Sequence, residues 1–581
     1  LWDLRRLVAD RIASGYVAGL REKCEQNGIR LWLENYGHWG FPGEFLNYGG
    51  ASHDLGGEFW LDDVKLGAIE CRCASSAAHI YGKNVVSAEA FTAGNAFRQT
   101  PHSMKARGDW AFTEGINHFV LHVYIHQPWD DRLPGMNAWF GTDFNRNSTW
   151  FFKGKAYIDY VRRSHALLQQ GQNVADIAYF IGEDAPKMTG VQNPSRPNGY
   201  NYDYINGEVL LRDAQAKDGR IVLPGGTSYR ILVLPEQVTM RPELLAKLVQ
   251  LVKEGAALLG PAPQRSPSMK NFPVCDEQVK SLAKELWDDC DGKSKTERRF
   301  GKGRVFCGIG LQEAFARLHV SPDVVCGANY LWTHRQTNSA DIYFVTNQAN
   351  HAFNDTLSFR VTGRQPELWD AVSGEIRDLP VYEEVNGLTR VPLQFDAADS
   401  WFIIFRKKAL TKVNDESVNF PLARTVMELS GSWNVSFNGE FGAPHNTVFD
   451  ALHDWTSDAN EAIKYFSGTA VYKKEFNWEN QKEGRYFIDL GQLESMATVK
   501  LNGKELATVW RVPYRVDISK ELKPGRNDLE VEVTNSWWNR VVGDAQPGAA
   551  RYTWAATTVR WNAKSELMPA GLLGPVRILT R

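Results

Sequence analysis

Through the first 172 residues an apolar run of strand length is repeatedly followed by a polar, aromatic loop and then by a helical pattern. Few folds tolerate that order. Each helix carries the chain back to where the strand began, so successive strands run parallel, and residues just past the strands gather at one end of the sheet. Residues 1 to 28 open the pattern as a helix, with Leu4, Leu7, Val8, Ile12, Val17 and Leu20 at helical spacing and Asn27-Gly28 as its stop. IRLWLENYG is then an apolar run ending on Glu34-Asn35, and a Gly-rich loop follows to about Trp60. Asp62 or Asp63 caps a second helix that runs to about Tyr81. NVVSAEAFT is a buried strand, SMKARGDWAFTEG a third helix, NHFVLHVYIHQP another strand, and STWFFKGKAYIDYVRRSHALLQQG a fourth helix. This is the grammar of a (β/α)8 barrel, in which the chemistry sits at the C-terminal ends of the strands. Only about three strands are legible. The others would precede Leu1, where the chain opens as though part-way through a domain, and a truncated barrel would leave a bare strand edge. A doubly wound sheet is the alternative, but no Gly-rich phosphate loop supports it.

The pattern changes after that. DIAYFIGE, YRILVLPE and GAALLGP are short apolar runs suited to parallel strands buried on both faces, and the helix after Arg241-Pro242 carries Leu244, Leu245, Leu248, Leu251 and Val252 on one side. QRSPSMKNFPVCDEQ reads as a loop. Residues from 326 to 408 are short alternating strands, KKALTKVNDESVNFP is a polar linker, and a second set of strands follows from about Val426, with Asn502-Gly503 as a hairpin turn. The fold class is therefore multidomain, α/β followed by β: a partial barrel over 1–172, a flavodoxin-like α/β domain over 173–325, a β-sandwich over 326–408, and a jelly roll over 409–581.

Glu89 ends the strand NVVSAE, and Glu58 lies 31 residues upstream in HDLGGEFW. Two carboxylates at one mouth suit acid/base hydrolysis of a glycosidic bond, where one protonates the leaving oxygen and one directs water. A solvated loop charge and a capping carboxylate are the plain alternatives. Glu34 and Asn35 end the preceding strand and are candidates to bond sugar hydroxyls or hold calcium, with a structural role in the loop as the plain alternative, and Glu44 is a weaker candidate. His118, His122 and His126 recur every four residues and share a face if the run is one strand; His122 and His126 then point into the mouth, while His118 packs near the strand's start. Zinc finds little support without HExxH. Trp129, Trp139 and Trp150 are candidate sugar platforms, and Asn145, Arg146, Asn147 and Asp143 read as loop-fixing. Trp is abundant, 20 of 581 residues, which favours carbohydrate, although Trp510, Trp537 and Trp538 are better explained as core. A net charge of -2 argues against nucleic acid, and no apolar run is long enough to span a membrane. Most of the seven cysteines read as buried thiols, not a disulfide framework.

Several of these motifs, WFGTDFNRNSTWFFKGKAYIDYVRRSHALLQQG, VVSAEAFT and LVLPEQVTM with GAALLGP, together resemble glycoside hydrolase family 106, the α-L-rhamnosidases. SGSWNVSF, VKLNGKELATVWRVPY and LLGPVRI resemble the galactose-binding-like sandwiches of that family and of family 2. The resemblance implies an inverting hydrolase with a barrel, glutamate acid and base, and calcium holding the sugar hydroxyls. It matches Glu58 and Glu89 to active-site glutamates, either of which could instead ligate calcium, and places a further glutamate before Leu1. It also implies a rhamnose-containing oligo- or polysaccharide as substrate and a periplasmic or secreted bacterial setting. A retaining β-galactosidase-like enzyme and a non-catalytic carbohydrate-binding fragment are the competing expectations.

Overall fold

The computed structural model describes residues 1–36, 41–62, 67–94, 96–409, 418–479 and 484–581. The first sheet has four strands, all parallel and in chain order: β1 (Trp32–Glu34), β2 (Asp54–Trp60), β3 (Ser87–Thr92) and β4 (His118–Leu121). Helices Ala68–Ile80, Pro101–Thr113 and Lys155–Leu168 follow β2, β3 and β4. The stretch expected as a Gly-rich loop before Trp60 is thus helix Phe45–Ala51 and then β2. Two glycines hid that strand. A Cβ on Gly57 would meet the Glu70 carbonyl at 2.7 Å, and one on Gly56 would meet Trp32 at 2.9 Å. The strand carries glycine because a helix and a neighbouring ring approach it this closely. The following helix starts at Ala68 with Gly67 in the left-handed region, so Asp62 does not cap it; Asp63 lies outside the described residues.

The N-terminal helix runs over Trp2–Arg11 and Ala18–Gln26, with a π-turn at Ile12–Val17. Its inward face differs from the leucine stripe expected. Ala9, Ala13 and Val17 are buried, whereas Leu4 and Leu7 are 60% and 53% exposed. The small residues let this helix lie close against Phe45, Leu46 and Tyr48.

The second sheet orders its strands Tyr202–Ile205, Ile177–Phe180, Ile231–Val233, Ala257–Leu259 and Gly303–Phe306, all parallel, with Glu297–Phe300 antiparallel at the edge. Counted in chain order the parallel strands read 2-1-3-4-5. Helix Pro242–Glu254 buries the expected leucines. The presumed loop before residue 278 already contains the start of helix Val274–Trp287. Cys290 and Cys307 form a disulfide, while Cys24, Cys71, Cys73, Cys275 and Cys326 are free thiols, as expected of most of the cysteines. Their segments touch at Gly292 and Gly308, a proximity that a separation of 17 residues does not reveal.

Two further pairs of sheets follow. In the first, Leu357, Val391 and Phe395 of one sheet pack on Tyr343, Ile403 and Phe405 of the other. In the second, Trp433, Tyr472, Val499 and Val531 meet Ile488 and Ile578. Asn502 and Gly503, both at positive φ, make the expected hairpin turn. Trp510, Trp537 and Trp538 are buried, consistent with packing. The last unit reaches back to the first: Trp554–Ala556 pairs in parallel with Pro134–Met136, and Trp537 Nε1 donates to the Asn147 carbonyl at 2.6 Å.

A buried cation on helix Ala68–Ile80 ties the helices of the first unit to the second sheet. Arg72 donates to Glu114 at 2.7 Å, to the Tyr202 carbonyl at 3.2 Å and to Asn201 at 3.3 Å. Removing one partner of a buried pair leaves the other charge uncompensated. Arg72→Met should therefore destabilise the fold by about 3–5 kcal/mol, read as a lowered urea midpoint and melting temperature.

Candidate active site

Register decides which side chains share a face. Glu34 stands beside Gly56 and Gly56 beside Ser87; one step of two residues further on, Glu58 stands beside Glu89 and Glu89 beside Val120. Glu34, Glu58 and Glu89 therefore project from one face of the sheet; Glu34 ends β1 and Glu58 lies two residues before the end of β2, but Glu89 sits mid-strand in β3 and does not end it as expected, because pairing continues to Thr92. The opposite face, with Leu55, Phe59, Ala88, Ala90 and Phe119, packs into the core under the helices. Alternation along a half-covered sheet is what leaves the carboxylate face open.

The three carboxyls have different surroundings. Glu58 is 5% exposed, and Trp60 Nε1 donates to its Oε1 at 2.5 Å. A bulge between Phe59 and Trp60 sets the indole beside that carboxylate. Thr92 Oγ1 donates to Glu89 Oε1 at 2.5 Å. Glu34 is pushed up to about 8, first by burial and then by the charges of Glu89 and Glu58. It therefore holds a proton at neutral pH and can donate a hydrogen bond, as an ionised carboxylate cannot. Tyr36 is pushed up by burial and by all three glutamates, so its phenol stays protonated. Asn35 is fully buried; its amide donates to the Glu70 carbonyl at 3.3 Å, while its Oδ1 has no partner among the described residues.

The histidine expectation fails in part. The strand ends at Leu121, so His118, His122 and His126 do not share one strand face. His118 is exposed, with Nδ1 3.1 Å from Ser87 Oγ, and is not packed away; His126 is exposed beyond the strand. His122 alone reaches the carboxylates. Its Nδ1 lies 3.6 Å from Glu89 Oε1, and its ring stacks on Phe140 at 5.5 Å. Burial holds this imidazole below its usual range, with Glu89 opposing the shift, so it is neutral at neutral pH. Trp139 is 52% exposed and leans on Trp60 at 6.3 Å, which joins it to Glu58 through the indole. Trp129 instead meets Trp554 edge-on at 5.4 Å, beneath the Arg132 guanidinium at 4.1 Å. Trp150 is buried and offers no platform.

The loop beyond β4 is held by its own polar groups. Arg146 donates to Asp130 and to the Gln127 carbonyl at 2.7 Å, and Asn145 Oδ1 accepts from the Asn147 amide at 2.9 Å. Asp143 accepts from Asn137 and from the Phe97 amide at 3.0 Å, and burial pushes it up to about 7. Glu44 belongs elsewhere: it accepts from Arg6 at 2.5 Å and from Asn206 at 2.7 Å. Sequence reasoning missed Tyr36, Trp60, Thr92 and Phe140. The first three lie two or three residues after a glutamate already singled out, and that proximity was the available signal.

Calcium needs a set of oxygen ligands. Among the described residues no three His, Cys, Asp or Glu side chains come together as a metal-ligating group, so no step below passes through a metal.

The model of an α-L-rhamnosidase family, glycoside hydrolase family 106, matches residues 1–384. The chain belongs to that family. A galactose-binding-domain-like model of glycosyl hydrolase family 2 matches residues 450–572. The rhamnosidase from Novosphingobium sp. PP1Y superposes on all of this family 106 chain with a TM-score of 0.92 at 32% identity, and the match covers 56% of that chain. A Formosa agariphila protein named "Putative beta-glucuronidase" is 27% identical over the whole of this chain and 70% of its own length. This family 106 chain thus spans little more than half of the solved rhamnosidase it resembles.

Glu34 makes stability depend on pH. Below its ordinary value of 4.5 it is protonated both folded and unfolded. Between 4.5 and about 8 the unfolded chain gives up the proton and the native state keeps it, so stability falls across that window and levels off above it. Glu34→Gln should remove the slope: its melting temperature gains on the parent's as pH rises through the window.

Proposed function

We propose that this chain carries catalytic carboxylates of an α-L-rhamnosidase that releases terminal rhamnose from a plant or microbial polysaccharide. The observation that supports this most is the convergence of Glu34, Glu58 and Glu89 on one open sheet face, within the stretch matched by the α-L-rhamnosidase family model. In this reading the four parallel strands are part of a (β/α)8 barrel, and Glu58 and Glu89 carry the acid/base chemistry. Glu34, protonated at neutral pH, donates a hydrogen bond to a sugar oxygen. Trp139 offers an exposed aromatic face, and neutral His122 holds the flank of Glu89. The transition state is oxocarbenium-like, so an ionised carboxylate near the anomeric carbon stabilises the charge that develops there.

Inversion is the expected outcome and requires carboxyls roughly 6.5–9.5 Å apart, leaving room for a water. One observation favours a second reading. Glu58 and Glu89 stand directly beside each other on adjacent strands. Neighbouring strands lie only about 4.8 Å apart, nearer the roughly 5–5.5 Å of a retaining pair.

Hydrolysis of an aryl α-L-rhamnoside, followed by NMR of the first-formed sugar, tests both. Release of the β anomer supports inversion and the α anomer supports retention. No hydrolysis of the α-L-rhamnoside alongside cleavage of a β-galactoside or β-glucuronide would sink the rhamnosidase reading.

Glu89→Gln should lower kcat by about 10²–10⁴-fold, the range for loss of a general acid or base. A loss under tenfold would mean that Glu89 is not catalytic. The calcium implied by the family is a separate proposal: a chelator should slow the reaction and added calcium restore it, and an unchanged rate removes the metal from the mechanism.

A further inference from the structure

The two β-rich units meet at a cleft of about 590 Å³, remote in sequence from the carboxylate face. Arg377, Trp401 and Phe420 line one side, and Phe487, Arg515 and Arg581 the other. The guanidiniums fall into two groups. Arg515 is matched by Asp489 at 2.6 Å, and the nearby Arg485 by Asp517 at 2.9 Å and Glu375 at 3.2 Å. Arg377 and Arg581 have no carboxylate at ion-pair distance among the described residues. Arg377 spends one N–H on the Asn419 carbonyl at 2.5 Å and lies over the Phe420 ring at 4.7 Å. Arg581 and Arg485 both lie over Phe487, at 5.1 and 5.2 Å.

Arg377 and Arg581 remain costly to hold in a half-buried cleft even with Asp370, Glu375 and Asp396 on the same walls. Burial, and then Arg515 and Arg485, push Arg581 below its ordinary range. Burial does the same to Arg377, and Arg581 adds to it against the opposing pull of Glu375. An anion seated between them would remove that cost, and a guanidinium fork matches a carboxylate or sulfate in two parallel hydrogen bonds. The rest of the wall suits a sugar: partly exposed aromatic faces for the C–H side of a ring, and Asp370, Gln394 and Asp396 as acceptors for hydroxyls. Nucleic acid fits poorly, since the chain as a whole has a net charge of -2.

We propose that this cleft is a second saccharide site that takes an anionic glycan, its acidic group held by Arg377 and Arg581 and its ring lying against Trp401, Phe420 and Phe487. The site would hold an acidic part of a polymer away from the point of cleavage. It does not depend on which bond the glutamates break, and it is read by binding without turnover.

The test is calorimetric titration of the whole chain at about 0.1 M salt, where exposed charges are largely screened. The probes are a galacturonate trisaccharide, a sulfated galactose trisaccharide and a neutral galactose trisaccharide. One or both anionic probes should bind, and which of them does identifies the acidic group as carboxylate or sulfate. The double variant Arg377→Gln/Arg581→Gln should bind at least about tenfold more weakly, the loss of roughly one charge-assisted bond. Arg581→Lys, which keeps the charge without the fork, should lose less than Arg581→Gln. Glu89→Gln should bind as the parent does. The proposal is overturned if neither anionic probe binds, if the neutral probe binds equally, if the arginine variants bind like the parent, or if an oligonucleotide binds as tightly as the saccharide. Circular dichroism establishes that each variant is folded, and the single variant Arg581→Gln carries the test if the double does not fold.

Discussion

The spacing between β2 and the helix Ala68–Ile80 governs the carboxylate face. Gly57 leaves no room for a side chain against the Glu70 backbone, so the helix lies directly on the strand. That contact fixes β2 in the sheet, and the parallel register with β3 then sets Glu58 beside Glu89. Every later feature of the site follows from this alignment. The bulge that turns Trp60 onto Glu58, the desolvation of Glu34 by its neighbours, and the Asn35 tie to the same helix all require β2 to sit where a larger residue would not allow it.

What was legible in the sequence was the material that follows simple periodicity. The strand around Glu89, the three helices after the strands, the leucine face of Pro242–Glu254 and the Asn502-Gly503 turn all show it. What was not legible depended on tertiary approach. Gly56 and Gly57 look like a loop because close packing, not β propensity, selects them. The inward face of the first helix is alanine and valine because another helix lies against it, although leucine lines the other side. NHFVLHVYIHQ reads as one strand, yet sheet pairing ends at Leu121, and no local pattern marks that end. Of the candidates chosen, Glu34, Glu58, Glu89 and His122 are brought together, while His126 and Trp129 belong to other surroundings.

The protein treats its buried charges in contrasting ways. Arg72 is surrounded by acceptors from the end of helix Pro101–Thr113 and from the second sheet, and His334 lies between Asp323 at 2.9 Å and Asp341 at 3.3 Å, which raises it to about 8 despite burial. Such satisfied networks fix one part of the chain against another. The carboxylate face does the opposite, setting Glu58 and Glu89 side by side in register, where their charges help to push Glu34 up. Perturbed groups of this second kind are where chemistry is to be sought.

The pairing of Trp554–Ala556 with Pro134–Met136 has a consequence for how the molecule evolves and is engineered. The segment that carries Trp139 and Phe140 is anchored by backbone bonds to a unit some four hundred positions further along the chain, including one from the Asn137 amide to the Ala556 carbonyl at 3.1 Å. The terminal module is therefore a structural support of the loop beside the carboxylate face, not an accessory joined by a tether. Exchanging it for a homologous module would reshape that loop even with every glutamate left in place.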